Sequence, residues 1–187
     1  MISIFGNLSL WFALLFGIYQ LLIPKMGITK STQKKYEIAV KGLFFCVLIS
    51  FALLMYAHIT SDFSILNVYQ NSHTTKPLIY KIAGVWGNHE GSMLLWIFVL
   101  ALFNYFIFNL YNQKNSYFIS STLQNQSFIT IGFILFTILT SNPFALVDNI
   151  QSDGLGFNPI LQDPALAIHP PILYLGYVGS SVIFSAS

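Results

Sequence analysis

Long apolar runs separated by short polar stretches limit what this chain can fold into more than anything else in it. Four of them, residues 2–23, 40–60, 93–111 and 127–141, lie near the ~20 residues that a transmembrane helix needs. Pro24 closes the first and Pro143 follows the fourth. A fifth run opens at Ile172 and stays apolar through residue 187, so it reads as a truncated span. The alternative, a set of buried helices in a soluble core, needs a charged surface to cover it. Only 7% of the residues are Asp, Glu, Lys or Arg, against roughly 25% in an ordinary soluble domain. The runs therefore predict an all-α polytopic membrane protein: one membrane domain over residues 1–187, with four complete transmembrane helices plus the truncated fifth.

The same composition excludes several functions. A net charge of +2 is too small for a nucleic-acid footprint. All eight basic residues are lysine, which removes the planar guanidinium used in bidentate phosphate clamps. The single cysteine, Cys46, rules out an intrachain disulfide or a CxxC pair, and its place among Phe44, Phe45 and Val47 suits an inert small apolar residue. The first apolar run has no basic leader and is long enough to stay as a span, unlike a cleaved signal peptide.

Lysines predict the orientation, since basic loops stay on the cytoplasmic or matrix side. The segment between the first two runs carries Lys25, Lys30, Lys34, Lys35 and Lys41. The segment of residues 142–169 carries Asp148, Asp153 and Asp163 and no lysine. The N-terminus, residues 61–89 and residues 142–169 should then share the opposite side.

Two polar stretches remain unexplained by spanning alone. Trp86-Gly87-Asn88-His89-Glu90-Gly91-Ser92 runs straight into an apolar helix, and an imidazole beside a carboxylate at a membrane edge is costly to desolvate. Helix capping by Asn88 or Ser92, with Glu90 near the positive end of the dipole, accounts for part of it. The small Gly87, Gly91 and Ser92 would also admit a ring or a second helix. The other stretch, Asn158-Pro159-Ile160-Leu161-Gln162-Asp163-Pro164 through His169-Pro170-Pro171, has four prolines. They predict an interrupted helix, with His169 held extended just outside the fifth span. An imidazole presented this way suits metal or haem-iron ligation, or simply a hydrogen bond across the interface. His58, near the end of the second run, reads as packed or snorkelling, and His73 as solvated.

Together these stretches resemble the N-terminal part of the CcmF family, the large membrane subunit of the cytochrome c maturation haem lyase. The likeness rests on residues 86–92, on Thr140-Ser141-Asn142-Pro143-Phe144, and on the run from Asn158 through Ile168-His169-Pro170-Pro171-Ile172-Leu173-Tyr174-Leu175-Gly176 to Gly179. It implies work on the periplasmic or intermembrane-space face, where haem from a haem chaperone is joined through its vinyl groups to the thiols of an apocytochrome c. It implies b-type haem as substrate, and His169 as the first of two histidines flanking a tryptophan-rich haem loop and as an axial ligand to the iron. Trp86, His89 and Glu90 become candidate contacts for haem. The tryptophan-rich loop and the second histidine are absent from these residues. The resemblance therefore implies that the remaining C-terminal part of the lyase is a partner, and that this piece is inactive alone. A mitochondrial inner membrane or a bacterial cytoplasmic membrane is the implied location. Two other functions compete: a transporter using His89 and Glu90, and a structural assembly subunit without ligand. The transporter lacks the mid-membrane charge that such proteins place at their sites.

Overall fold

The computed structural model describes residues 1–24, 30–111, 117–149, 152–156 and 163–187. Among them are seven helices: α1 (Ile2–Leu22), α2 (Lys30–Thr60), α3 (Leu66–Asn71), α4 (Leu78–Gly84), α5 (His89–Tyr111), α6 (Tyr117–Thr140) and α7 (Pro164–Ala186). Five of these, α1, α2, α5, α6 and α7, are long and apolar enough to cross a membrane. The all-α polytopic reading holds.

The boundaries differ from the apolar runs in an instructive way. α2 starts ten residues before residue 40 and takes in Lys34, Lys35, Glu37 and Lys41. Its 31 residues span about 46 Å at 1.5 Å per residue, well beyond the ~30 Å hydrocarbon layer. Lys41 pairs with Glu37 one turn away, which suits a helix end standing in water. α6 likewise starts ten residues before residue 127, because its polar residues face other helices rather than solvent. Ser120, Thr122, Gln124, Gln126, Ser127 and Thr130 are all buried. α7 starts at Pro164, eight residues before Ile172, and so reaches 23 residues, the length of a full span.

Helix α1 packs between α2 and α6, and α5 packs between the same two on the other side, closing a four-helix ring. α7 lies outside the ring against α5 and α6. Lipid offers no hydrophobic force between helices, so packing and polar pairs must join them. Gln20 of α1 and Asn104 of α5 exchange two amide hydrogen bonds, at 3.0 and 2.8 Å. Gln126 of α6 bonds Ser181 at 2.9 Å and accepts from Ser185 at 2.8 Å, fastening α7.

The connections at the α5 N-terminal end form one layer. Leu66 N–H donates to Ala145, and Leu155 N–H to Tyr69, so the two long connections pair with each other. Ser3 Oγ donates to the Phe144 carbonyl at 2.7 Å, and Asn142 donates to Asn7 at 2.8 Å, which brings in the start of α1. Phe144 is buried over Gly6, where a Cβ would stand 2.3 Å from its ring. Burying that ring contributes roughly 2–3 kcal/mol. The chain start, residues 61–89 and the described part of residues 142–169 thus share one end of the bundle, the grouping that the lysine pattern predicts. Lys25, Lys114 and residues 158–162 lie outside the described residues.

Candidate functional site

The stretch at residues 86–92 begins α5 and is a capping structure. Asn88 Oδ1 accepts from Gly91 N–H at 2.8 Å, the bond an N-cap makes to the third helical residue. Ser92 is not the cap: its hydroxyl donates back to the Trp86 carbonyl at 2.8 Å. The space beside Gly91 is filled by the chain itself, since a Cβ there would fall 1.6 Å from the Val85 carbonyl oxygen. It admits neither a ring nor a second helix.

Each polar side chain of this stretch faces a different neighbour. Glu90 turns toward α3, with Asn67 Nδ2 3.5 Å from its carboxylate. Asn67 also exchanges amide hydrogen bonds with Asn88, at 2.6 and 3.2 Å, and its Oδ1 lies 2.9 Å from His58 Nε2. His58 is fully buried in this network and packed, not snorkelling. Nothing in the apolar pattern foretold the network, because its hinge, Asn67, lies in a connection that reads as an ordinary polar loop. His89 turns the other way, with Nε2 2.9 Å from Ser141 Oγ and its ring edge-on to Phe136. His73, expected to be solvated, lies 3.2 Å from the Asp153 carboxylate. That carboxyl also accepts from Thr74 and Gly154, and these bonds, led by the Thr74 hydroxyl, hold it below the ordinary carboxylate range.

An open cleft of about 430 Å³ separates the α5 N-terminus from α7. Trp86, Asn88, His89 and Ser92 line one wall, and Leu166, Ala167, Pro170 and Tyr174 the other. Trp86 joins the two walls, its indole N–H donating to the Ala167 carbonyl at 2.8 Å. Around the corner from His89, α5 and α6 form an apolar groove of about 700 Å³ bordered by Met93, Phe128, Gly132 and Phe136.

His169 is placed differently from expectation. Its backbone is helical, within α7, and not extended outside the span. Two signals in the sequence account for the early start of this helix. Asp163 is the N-cap, its carboxylate accepting from Ala165 and Leu166 N–H at 2.8 and 3.1 Å, and Pro164 takes the first helical position, where its missing N–H costs nothing. Asp163 is therefore committed to the backbone and does not orient the His169 ring. Pro170 and Pro171 then sit inside the helix. At about 100° per residue, His169 falls on the side of α7 opposite the buried Ala167, one turn after Leu166 of the cleft wall. It is exposed. Its outward neighbours at helical spacing are Ile172 and Leu173, both exposed, and Gly176, beside which a Cβ would meet nothing within 4 Å. The structure thus brings Trp86 and His89 together at the cleft, turns Glu90 away from it, and leaves His169 outside its lining, exposed on the side of α7 opposite Ala167. Among the described residues, no three His, Cys, Asp or Glu side chains gather into a metal-binding group.

These features define an integral membrane protein with a polar, cleft-bearing end. The chain belongs to the cytochrome c assembly protein family, whose description "Cytochrome C assembly protein" matches residues 86–187. It is 45% identical to the cytochrome c-type biogenesis protein CycK of Rhizobium meliloti, over 99% of this chain and 28% of that protein. It is 38% identical to the cytochrome c-type biogenesis protein CcmF of Haemophilus influenzae, over 99% of this chain and 29% of that protein. A solved structure titled "Cytochrome c Heme Lyase CcmF" superposes with a TM-score of 0.79 at 25% identity, covering 99% of this chain and 29% of that one. The chain spans under a third of the length of the relatives it matches.

Proposed function

We propose that this chain is the part of a cytochrome c haem lyase that presents an axial histidine to b-type haem at the outer membrane surface. The observation that carries the reading is the setting of His169. Its exposed imidazole stands near the start of a spanning helix, on an outward face of Ile172, Leu173 and the open Gly176. A neutral imidazole is a strong ligand for haem iron, and a flat apolar face with a glycine gap accepts a porphyrin edge. The aspartates and missing lysines of the 142–169 connection favour the outer side for this end.

Haem is substrate here, received from a haem chaperone and passed to the cysteine thiols of apocytochrome c. Fixing the iron would hold the vinyl edge in one position toward incoming thiols. The second axial histidine and a tryptophan-rich loop come from the remaining part of the lyase, so this piece by itself holds haem weakly. Trp86 and His89 shape the cleft behind α7, and Glu90 braces the α5 start against α3. They act on haem through the placement of α7 and the loops around it. The test is haem retention in the lyase reconstituted from this chain and the remaining part. His169→Ala should purify with little haem, and unchanged content would refute the reading.

A further inference from the structure

The two prolines inside α7 leave a gap in its backbone ladder. Pro170 and Pro171 carry no N–H, so the carbonyls of Leu166 and Ala167, four residues earlier, lose their usual helical donors. A helix missing two adjacent bonds bends easily at that point. His169 lies inside this stretch, between the freed Ala167 carbonyl and Pro170.

One of the two lost donors is replaced from outside the helix. The indole N–H of Trp86 donates to the Ala167 carbonyl at 2.8 Å. The half-buried Trp86 ring is itself packed against the core of Leu94, Leu95 and Val85, so the donor is anchored. Beyond the prolines α7 is fastened by Ser181, Ser185, the buried Val178 and the contact of Tyr174 with Trp96. Ahead of them, Pro164, Ala165, Leu166, Ile168 and His169 are exposed and only Ala167 is buried. Among the described residues, the Trp86 bond is the one hydrogen bond joining this leading segment to the rest of the bundle.

We propose that Trp86 is a positioning residue: its indole N–H substitutes for the donor that Pro171 removes, and so fixes the angle at which the proline-broken start of α7 holds His169. This rests on the reading of His169 as a haem ligand. It assigns Trp86 a hydrogen-bonding task distinct from stacking on haem, one that a phenylalanine has no donor to perform.

The logic gives a suppressor. Pro171→Ala restores an N–H four residues after Ala167, so in that background the indole donor becomes dispensable. Four forms of the reconstituted lyase test it in lipid nanodiscs: unmodified, Trp86→Phe, Pro171→Ala, and both together. Two readouts are taken, amide hydrogen exchange over residues 163–175 without haem, and the low-spin electron paramagnetic resonance spectrum with haem. Trp86→Phe should speed exchange roughly fivefold, the equilibrium worth of one neutral hydrogen bond, and broaden or shift the low-spin signal. The double variant should return toward the unmodified form in both. Unchanged exchange in Trp86→Phe overturns the proposal, as does a double variant no better than Trp86→Phe. Faster exchange with an unmoved haem spectrum overturns the claim that the bond aims His169. A His169→Ala control that keeps its haem signal would instead remove the ligand reading, and the exchange series would still decide the bond to Ala167 by itself.

Discussion

Gly91 shows how much of the polar stretch at the start of α5 is committed to packing. A methyl group there meets the Val85 carbonyl, a backbone atom that cannot rotate away. Gly91→Ala should displace the first turn of α5 and destabilise the protein by about 1–3 kcal/mol, the usual cost of overpacking, which thermal unfolding in detergent will register. Asp163 makes a complementary case. As the N-cap of α7 it should cost about 1 kcal/mol when changed to alanine, with no change in the haem spectrum beyond what weaker helix ends produce. A spectral change as large as that of His169→Ala would mean the carboxylate does act on the imidazole. Lys76 supplies the pH dependence. Its amine is pushed down to about 8 from an ordinary 10.5, first by burial and then by the nearby Lys81. The folded state therefore binds fewer protons than the unfolded one between these values, and stability rises with pH from about 8 to 10.5. Lys76→Gln should raise the melting temperature at pH 7, and the gain should shrink to nothing as pH approaches 10.5. An equal gain at both ends of that window would show that charge burial is not the cause.

At the scale of elements, helices were legible from the sequence wherever apolarity ran unbroken, and their ends wherever a capping residue preceded them. Asn88 before α5 follows that rule, and Asp163-Pro164 before α7 carried the same signal beneath a run of prolines that argued for a break. The prolines interrupt hydrogen bonds without ending the helix, because α7 lies against α5 and α6, which hold its axis. α6 began earlier than its hydropathy suggested since a buried Gln or Ser counts as polar on any scale, whatever it bonds. α3 and α4 escaped notice because they are short, and α3 is held by backbone bonds to the described part of the connection after α6. The amide pair of Gln20 and Asn104 belongs to the same class of hidden order. Removing one amide leaves its partner buried without a mate, so Gln20→Leu or Asn104→Leu alone should each cost about 1–2 kcal/mol. The double replacement should cost less than the sum, and simple additivity in unfolding experiments would show the pair uncoupled.

At the scale of the whole molecule, a four-helix ring carries a polar layer at one end and an outboard helix whose His169 face is turned away from it. The lysines at the start of α2 and the aspartates of the connection after α6 lie toward opposite ends. In a Cys46→Ser background, Lys34→Cys and Asp148→Cys should react with an impermeant thiol reagent from opposite sides of sealed vesicles, and labelling from one side would overturn the orientation. The role proposed for His169 is narrower: to hold haem iron through its imidazole. The measurement that tests it most directly is chemical rescue of His169→Gly in the reconstituted lyase. Haem should be lost from the variant and regained, with a low-spin Soret band, when free imidazole is supplied. Haem retained without imidazole, or lost and not restored by it, would contradict the claim.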